Sequence, residues 1–230
     1  MKHEVQRQVI TLLYLWWSER CGVREGEQQW DSGRLAHLTS TYAAEWSSFK
    51  PVKELGSQAQ VKKSWRPPPA NTVKINCDGA FSKNTRSGGW GYLIRECDGG
   101  VISSGYGKLE NIGEAFHAEI IACLQVLQRA ADLGIQRVLL ETDASMVVQA
   151  AKSAELERSS ASGLIWELKD LLASNFAFHD VIHTPRSGNM AADGLAALGA
   201  SLSSGAGLIM DSIPICIRVL IADDLAAVYE

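Results

Sequence analysis

A chain of 230 residues with 46% apolar and 21% charged side chains can build an ordinary soluble core and needs no disulfide staple to fold. Its net charge of −4 excludes a globally basic nucleic-acid binder: residues 70–203 hold 11 basic against 15 acidic side chains, so any polyanion site there is local or completed by bound cations. Five scattered cysteines, Cys21, Cys77, Cys97, Cys123 and Cys216, show no CxxC spacing, which argues against a disulfide framework or structural zinc and fits a reducing compartment.

Glu4 to Arg20 is periodically apolar. Its run Val9–Trp17 (VITLLYLWW) imitates the core of a signal peptide, but Ser18-Glu19-Arg20 offers no small-residue cleavage site and the run is too short to span a bilayer. It reads as an amphipathic helix, and Arg34–Phe49 has helical composition too, so residues 1–50 form a helical N-terminal segment. With no clear targeting signal, the expectation is an intracellular protein of the nucleus or cytoplasm, off the membrane and monomeric. Residues 51–71 read as a linker ending in the stiff extended piece Arg66-Pro67-Pro68-Pro69.

From Thr72 the pattern changes. Thr72–Cys77 alternates and is β-branched, which predicts a strand ended by Asp78-Gly79. Gly89–Arg95 and Val101–Lys108 predict two more, joined through Asp98-Gly99-Gly100. Ala115–Leu133 predicts a long helix with one apolar face, capped by Gly134. Arg137–Thr142 reads as a buried parallel strand, Ser145–Lys152 and Gly163–Ala173 as helices, Phe176–His183 as a fifth strand and Asn189–Gly199 as a small-residue helix. Right-handed crossovers then give an α/β domain over residues 72–200, a five-stranded mixed sheet flanked by helices. Residues 201–230 read as a C-terminal tail, apolar and then acidic.

The acids fall at telling places. Asp78 and Asp143 end two strands that this order allows to be neighbours, and ligands of open α/β sheets bind beyond carboxyl strand ends. Glu119 lies on the long helix among Ala115, Ala118 and Ala122, and Asp193 lies early in the last helix. Taken singly each has an ordinary role: a turn residue, a helix cap, a solvated position, a partner for the helix dipole. Taken together, four carboxylates from four elements make a cluster that repels itself unless a hard divalent cation relieves it, and oxygen ligands suit Mg²⁺ or Mn²⁺ rather than Zn²⁺.

The stretch KINCDGAF…GGWGYLIRE…AFHAEIIACL…RVLLETDA…HTPRSGNMAADGLA resembles the type 1 ribonuclease H fold over roughly 130 residues. It is most similar to the divergent plant branch attached to, or descended from, non-LTR retroelement reverse transcriptases. DGA at Asp78, AE at Glu119, ETDA at Asp143 and NxxAD at Asn189–Asp193 carry the likeness, and the Trp-Arg-Pro-Pro-Pro lead-in and LLYLWWSERC resemble that branch as well. The resemblance implies metal-dependent endonucleolytic cleavage of the RNA strand of RNA–DNA hybrids. Asp78 would bridge two Mg²⁺ ions, with Mn²⁺ as a substitute; Glu119 and Asp143 would complete one site and Asp193 the other. His183, ten residues before Asp193, would help proton transfer or product release. Ser82, Asn84, Arg86 and Arg186 are candidate substrate contacts, and Gly88-Gly89-Trp90-Gly91 is assigned to sheet packing. Lys152–Gly163 lacks the basic, tryptophan-bearing helix that some members use to grip the hybrid, and Ala115–Ala118 lacks their polar amides. Those departures favour the alternative of a catalytically silent module binding nucleic acid or protein; a nuclease of the same fold that prefers DNA is the third reading.

Overall fold

The structure, a computed structural model, describes Val9, Leu12, Leu15, Trp16 and residues 29–48, 65–203, 205–210 and 213–229. Of the amphipathic helix expected over Glu4–Arg20 only Val9, Leu12, Leu15 and Trp16 are described, each helical; its other residues and most of the expected linker, 51–64, lie outside the described residues. The chain divides into a smaller unit, residues 1–58 with 214–218, and a larger one, residues 59–213 with 219–230. In the smaller unit, α1 (Ser32–Ser48) opens on Asp31, whose Oδ1 accepts from the Arg34 N–H at 2.7 Å. No helix among the described residues is long and apolar enough to cross a membrane.

The alternation that begins at Val73 becomes β1 (Val73–Ser82), followed by β2 (Ser87–Arg95) and β3 (Val101–Leu109) in an antiparallel meander. After α2 (Ala115–Asp132) the chain crosses back as β4 (Arg137–Thr142), parallel to β1. Then come α3 (Ser145–Lys152), α4 (Ser162–Asn175), β5 (Phe178–His183) parallel to β4, and α5 (Met190–Ser201). The five expected strands form one mixed sheet. A sixth, β6 (Gly207–Met210), pairs antiparallel with β3 and gives the order β5-β4-β1-β2-β3-β6, and α6 (Ile215–Tyr229) follows.

One expectation needs correction. Asp78-Gly79 does not end β1, which runs on to Ser82 against β2 with Asp78 opposite Gly91 and Ser82 opposite Ser87. What ends is the parallel ladder to β4, whose last pair is Asn76 opposite Glu141. The turn-like Asp-Gly pair is kept extended by two-sided neighbours, tertiary pairing overriding local preference. Asp78 thus lies at a fork, paired on one side and free of its parallel neighbour on the other.

Strand alternation separates two faces. On one, Ile75, Cys77, Tyr92, Ile94 and Leu140 meet the apolar side of α2 (Phe116, Ile120, Cys123, Leu127) together with Ile165 and Leu168 of α4. Fully burying side chains of this size contributes about 1.5–3 kcal/mol apiece, so this face is the main store of stability. The other face has a stripe without side chains. A Cβ on Gly89 would stand 2.1 Å from the Ala200 nitrogen and one on Gly91 2.2 Å from that of Ala196, so α5 lies with its backbone against β2. This close approach explains Gly89 and Gly91 of β2 and the small residues Ala196, Gly199 and Ala200 of α5, and it places Asp193, in the first turn of α5, on the face of β1 that bears Asp78.

Candidate active site

Three acids converge. Asp78 comes from β1 at the fork, Glu119 from the second turn of α2, and Asp143 from the residue after β4; one oxygen of each lies within 4.8 Å of the others. The approach of α2 depends on Gly79, where a Cβ would fall 2.4 Å from the Ala118 carbonyl carbon. The freed backbone is put to use: the Gly79 N–H donates to Glu119 Oε2 at 3.1 Å. Asp143 caps nothing, since α3 begins without a side-chain cap and the Ala144 N–H donates to Thr142 Oγ1 instead. Its Oδ2 accepts from Arg186 Nε at 3.1 Å, while its Oδ1 is buried with no hydrogen-bond partner.

Asp193 lies outside that triplet, in the first turn of α5, but near enough to raise Asp78 and to be raised by Asp143. Burial first, then Glu119, Asp143 and Asp193, push the Asp78 carboxyl well above the usual carboxylate range. Burial and then Asp143 push Glu119 up to about 8, against the Gly79 hydrogen bond and Arg186. Asp193 is raised by burial, with Arg186 opposing. The protein therefore gathers negative charge that it does not itself neutralise. Among the described residues the cation in contact with it is Arg186, whose side chain is 77% exposed. An orphaned carboxylate oxygen and an all-oxygen donor set fit a hard divalent cation.

The remaining candidates separate into two places. His183 closes β5 directly opposite Thr142, the residue before Asp143, so it stands exposed on the rim of the cluster. Ser82, Asn84 and Arg86 belong to the β1–β2 turn, all exposed, with Arg86 at φ 49° and its carbonyl accepting from the Ile112 N–H at 2.9 Å. Ser82 stands four strand steps from Asp78, about 13 Å at strand rise, so the turn lies along the strand from the cluster.

A further group of buried polar residues escaped the reading of single motifs. Lys74 and Asn76 share the face of Asp78; Lys74 Nζ donates to Glu141 Oε1 and to the Arg66 carbonyl, each at 2.6 Å, and Asn76 Nδ2 donates to Glu141 Oε2 at 3.0 Å. Arg95, fully buried, donates from Nη1 to Asp224 of α6 at 2.8 Å under the Trp65 ring, 3.9 Å from its centroid. The available signal was the period-two run Lys74, Asn76, Asp78: three polar residues on one face of a central strand.

Comparisons with known proteins cover the region that holds the four acids. The family described as Reverse transcriptase-like matches residues 76–199. An Arabidopsis thaliana protein named as a candidate ribonuclease H is 27% identical over 203 residues, covering 86% of this chain but 32% of that protein, so the chain spans about a third of its length. Among solved structures, ribonuclease H1 of Halobacterium salinarum superposes with a TM-score of 0.51 at 26% identity, over 56% of this chain and 96% of that one. The N-terminal ribonuclease H domain of a Mycobacterium tuberculosis protein gives 0.52 at 23%, over 56% and 93%. LC11 ribonuclease H1, solved in complex with an RNA/DNA hybrid, gives 0.50 at 17%, over 54% and 93%. The two likenesses below 25% speak for the fold alone.

Proposed function

The chain belongs to the reverse transcriptase-like family, with a ribonuclease H-like fold, and from that premise we propose that it is a metal-dependent endonuclease hydrolysing the RNA strand of RNA–DNA hybrids. One observation carries the reading: the carboxylates of Asp78 on β1, Glu119 on α2 and Asp143 just after β4, one oxygen of each within 4.8 Å of the others. Groups at such separations do not all ionise unless a cation joins them.

In this reading Asp78, Glu119, Asp143 and Asp193 would hold two Mg²⁺ ions, for which Mn²⁺ would substitute. Bound there, such ions supply an activated water and offset the charge that develops on the departing 3′-oxygen. The chain's own groups do the rest. The Gly79 N–H orients Glu119. Arg186, exposed and already facing Asp143, gives the scissile phosphate a cationic contact. His183, on the rim beside Asp143, moves a proton at the leaving 3′-oxygen and assists product release. Ser82, Asn84 and Arg86 contact the substrate backbone farther along. A hybrid is distinguished by 2′-hydroxyls on one strand and backbone shape on the other, so recognition needs little base readout.

A second reading, a silent module that binds without cleaving, draws on the segment between α3 and α4. There Glu155 and Glu157 flank Arg158 beside the exposed Trp166, a surface less basic than a hybrid grip requires. Cleavage of labelled hybrid, duplex RNA and duplex DNA by the purified full chain, in Mg²⁺ and in Mn²⁺, separates the readings. RNA-strand cleavage confined to the hybrid is expected. Intact hybrid at high enzyme in both metals refutes the nuclease, and preferential cleavage of DNA would assign the fold to another substrate.

A further inference from the structure

The buried polar face of β1 has a direction. Arg95 only donates hydrogen bonds, and the Glu141 carboxylate and the Cys77 carbonyl only accept. Between these ends lie two amides. Asn76 Oδ1 accepts from Arg95 Nη2 at 2.9 Å, leaving its Nδ2 to donate to Glu141 Oε2 at 3.0 Å and to Asn189 Oδ1 at 3.3 Å. With that oxygen engaged, Asn189 Nδ2 donates to the Cys77 carbonyl at 2.9 Å. Both amides are thus oriented without ambiguity, and donors point one way from Arg95, whose Nη1 also donates to Asp224, through Asn76 and Asn189 to the carbonyl immediately before Asp78. Asn76 and Asn189 are each 1% exposed, so no water competes.

This relay crosses the place where the pairing of β1 with β4 stops. The parallel ladder between β1 and β4 ends at Asn76 opposite Glu141, and Asp78 lies two residues beyond. Asn189 in turn precedes α5, and its carbonyl accepts from the Asp193 N–H at 3.0 Å. One side chain therefore ties the stretch of β1 bearing Asp78 to the helix start bearing Asp193, and Asn76 fixes that side chain. Buried polar groups cost desolvation, and an apolar face would fill the same space; specifying one geometry is what such a network adds.

We propose that Asn76 is a positioning residue of the metal site: as hub of the relay from Arg95 to the Cys77 carbonyl, it sets the spacing of Asp78 and Asp193 through Asn189. This rests on the metal-site reading above but extends it to a residue that touches neither metal nor substrate. The test measures Mn²⁺ affinity of the full chain by electron paramagnetic resonance of the free ion, alongside the thermal midpoint. Asn76→Leu matches the volume and removes the relay; Asn76→Thr suits a strand and keeps a single donor. Leu168→Ala, a cavity among the α4 residues on the opposite face, serves as the destabilised control. Expected is a loss of roughly tenfold or more in Mn²⁺ affinity for Asn76→Leu, the range seen when groups behind metal ligands are removed, and a smaller loss for Asn76→Thr. Leu168→Ala should lower the midpoint and leave affinity within about twofold. A folded Asn76→Leu, or failing that a folded Asn76→Thr, with wild-type affinity overturns the proposal; so does failure of both to fold, which would make Asn76 a structural staple. Wild type that binds Mn²⁺ without cleaving hybrid refutes the nuclease alone, and wild type that binds no Mn²⁺ overturns both.

Discussion

Replacing Glu119 by glutamine should flatten the pH dependence of stability in the metal-free protein. Burial and Asp143 push the Glu119 carboxyl up to about 8, whereas an unfolded glutamate titrates near 4.3. The folded state therefore binds the proton more tightly. The stability this group contributes is complete below about pH 4.3, declines as pH rises, and is gone above about pH 8. A span of roughly 3.5 units at about 1.4 kcal/mol each sets a ceiling of about 5 kcal/mol. The carboxylates share protons and Glu119 is not wholly buried, so a loss of about 2–3 kcal/mol is expected, or roughly 4–12 °C in midpoint for a chain of this size. The variant cannot ionise and keeps an oxygen to accept the Gly79 N–H, so the fold should persist. Thermal melts in chelator from pH 5 to 8.5 should show wild type losing stability and Glu119→Gln losing distinctly less, the residual slope coming from Asp78 and Asp193. Millimolar Mg²⁺ should lift wild type most above pH 7 and the variant little. Wild-type stability that holds level or rises across this range, or two parallel curves, would refute the account of the cluster as uncompensated charge.

Arg186→Ala should weaken hybrid binding, seen as a raised KM and a salt slope smaller by about 1, while stability shifts by under about 0.5 kcal/mol because the side chain is 77% exposed. An unchanged salt slope would remove it from the substrate contacts. His183→Ala should lower kcat roughly 100-fold with an unaltered midpoint, and a kcat left intact would confine this exposed residue to the rim. Gly91→Ala forces a Cβ to within 2.2 Å of the Ala196 nitrogen and should cost about 3 kcal/mol in denaturant unfolding; a neutral result would mean that α5 does not ride on β2 as described.

Much of this was legible because the signals were periodic. Alternation marked the strands, the apolar face of Ala115–Leu133 marked α2, and short motifs marked Asp78, Glu119 and Asp143, acids scattered in sequence that meet in the fold. Gly88-Gly89-Trp90-Gly91 read as packing, and the missing Cβ atoms of Gly89 and Gly91 are where α5 lies. The extent of β1 was not legible, because an Asp-Gly pair is locally a turn and only the partner strand β2 keeps it extended. Arg95, Glu141 and Asp224 were invisible for a related reason: a charged residue looks solvent-facing until its partner, 129 positions away in the case of Arg95 and Asp224, covers it. The apolar-then-acidic stretch 208–230 likewise gave no strand signal, since β6 exists only as an edge added to β3.

The central claim is most directly tested with Asp143→Asn beside wild type, on a hybrid whose RNA strand is labelled, in Mg²⁺ and in Mn²⁺. The change keeps the volume and removes one negative charge from a cluster that repels itself, so the variant should fold, and without metal be at least as stable as wild type. It makes Asp143 a poorer ligand for a hard cation, so stabilisation by millimolar Mg²⁺ should shrink as well. Wild type should cut the RNA strand and Asp143→Asn should leave it whole. Equal cleavage by both proteins would contradict the mechanism, and absence of both cleavage and Mg²⁺ stabilisation in wild type would assign the chain to binding without catalysis.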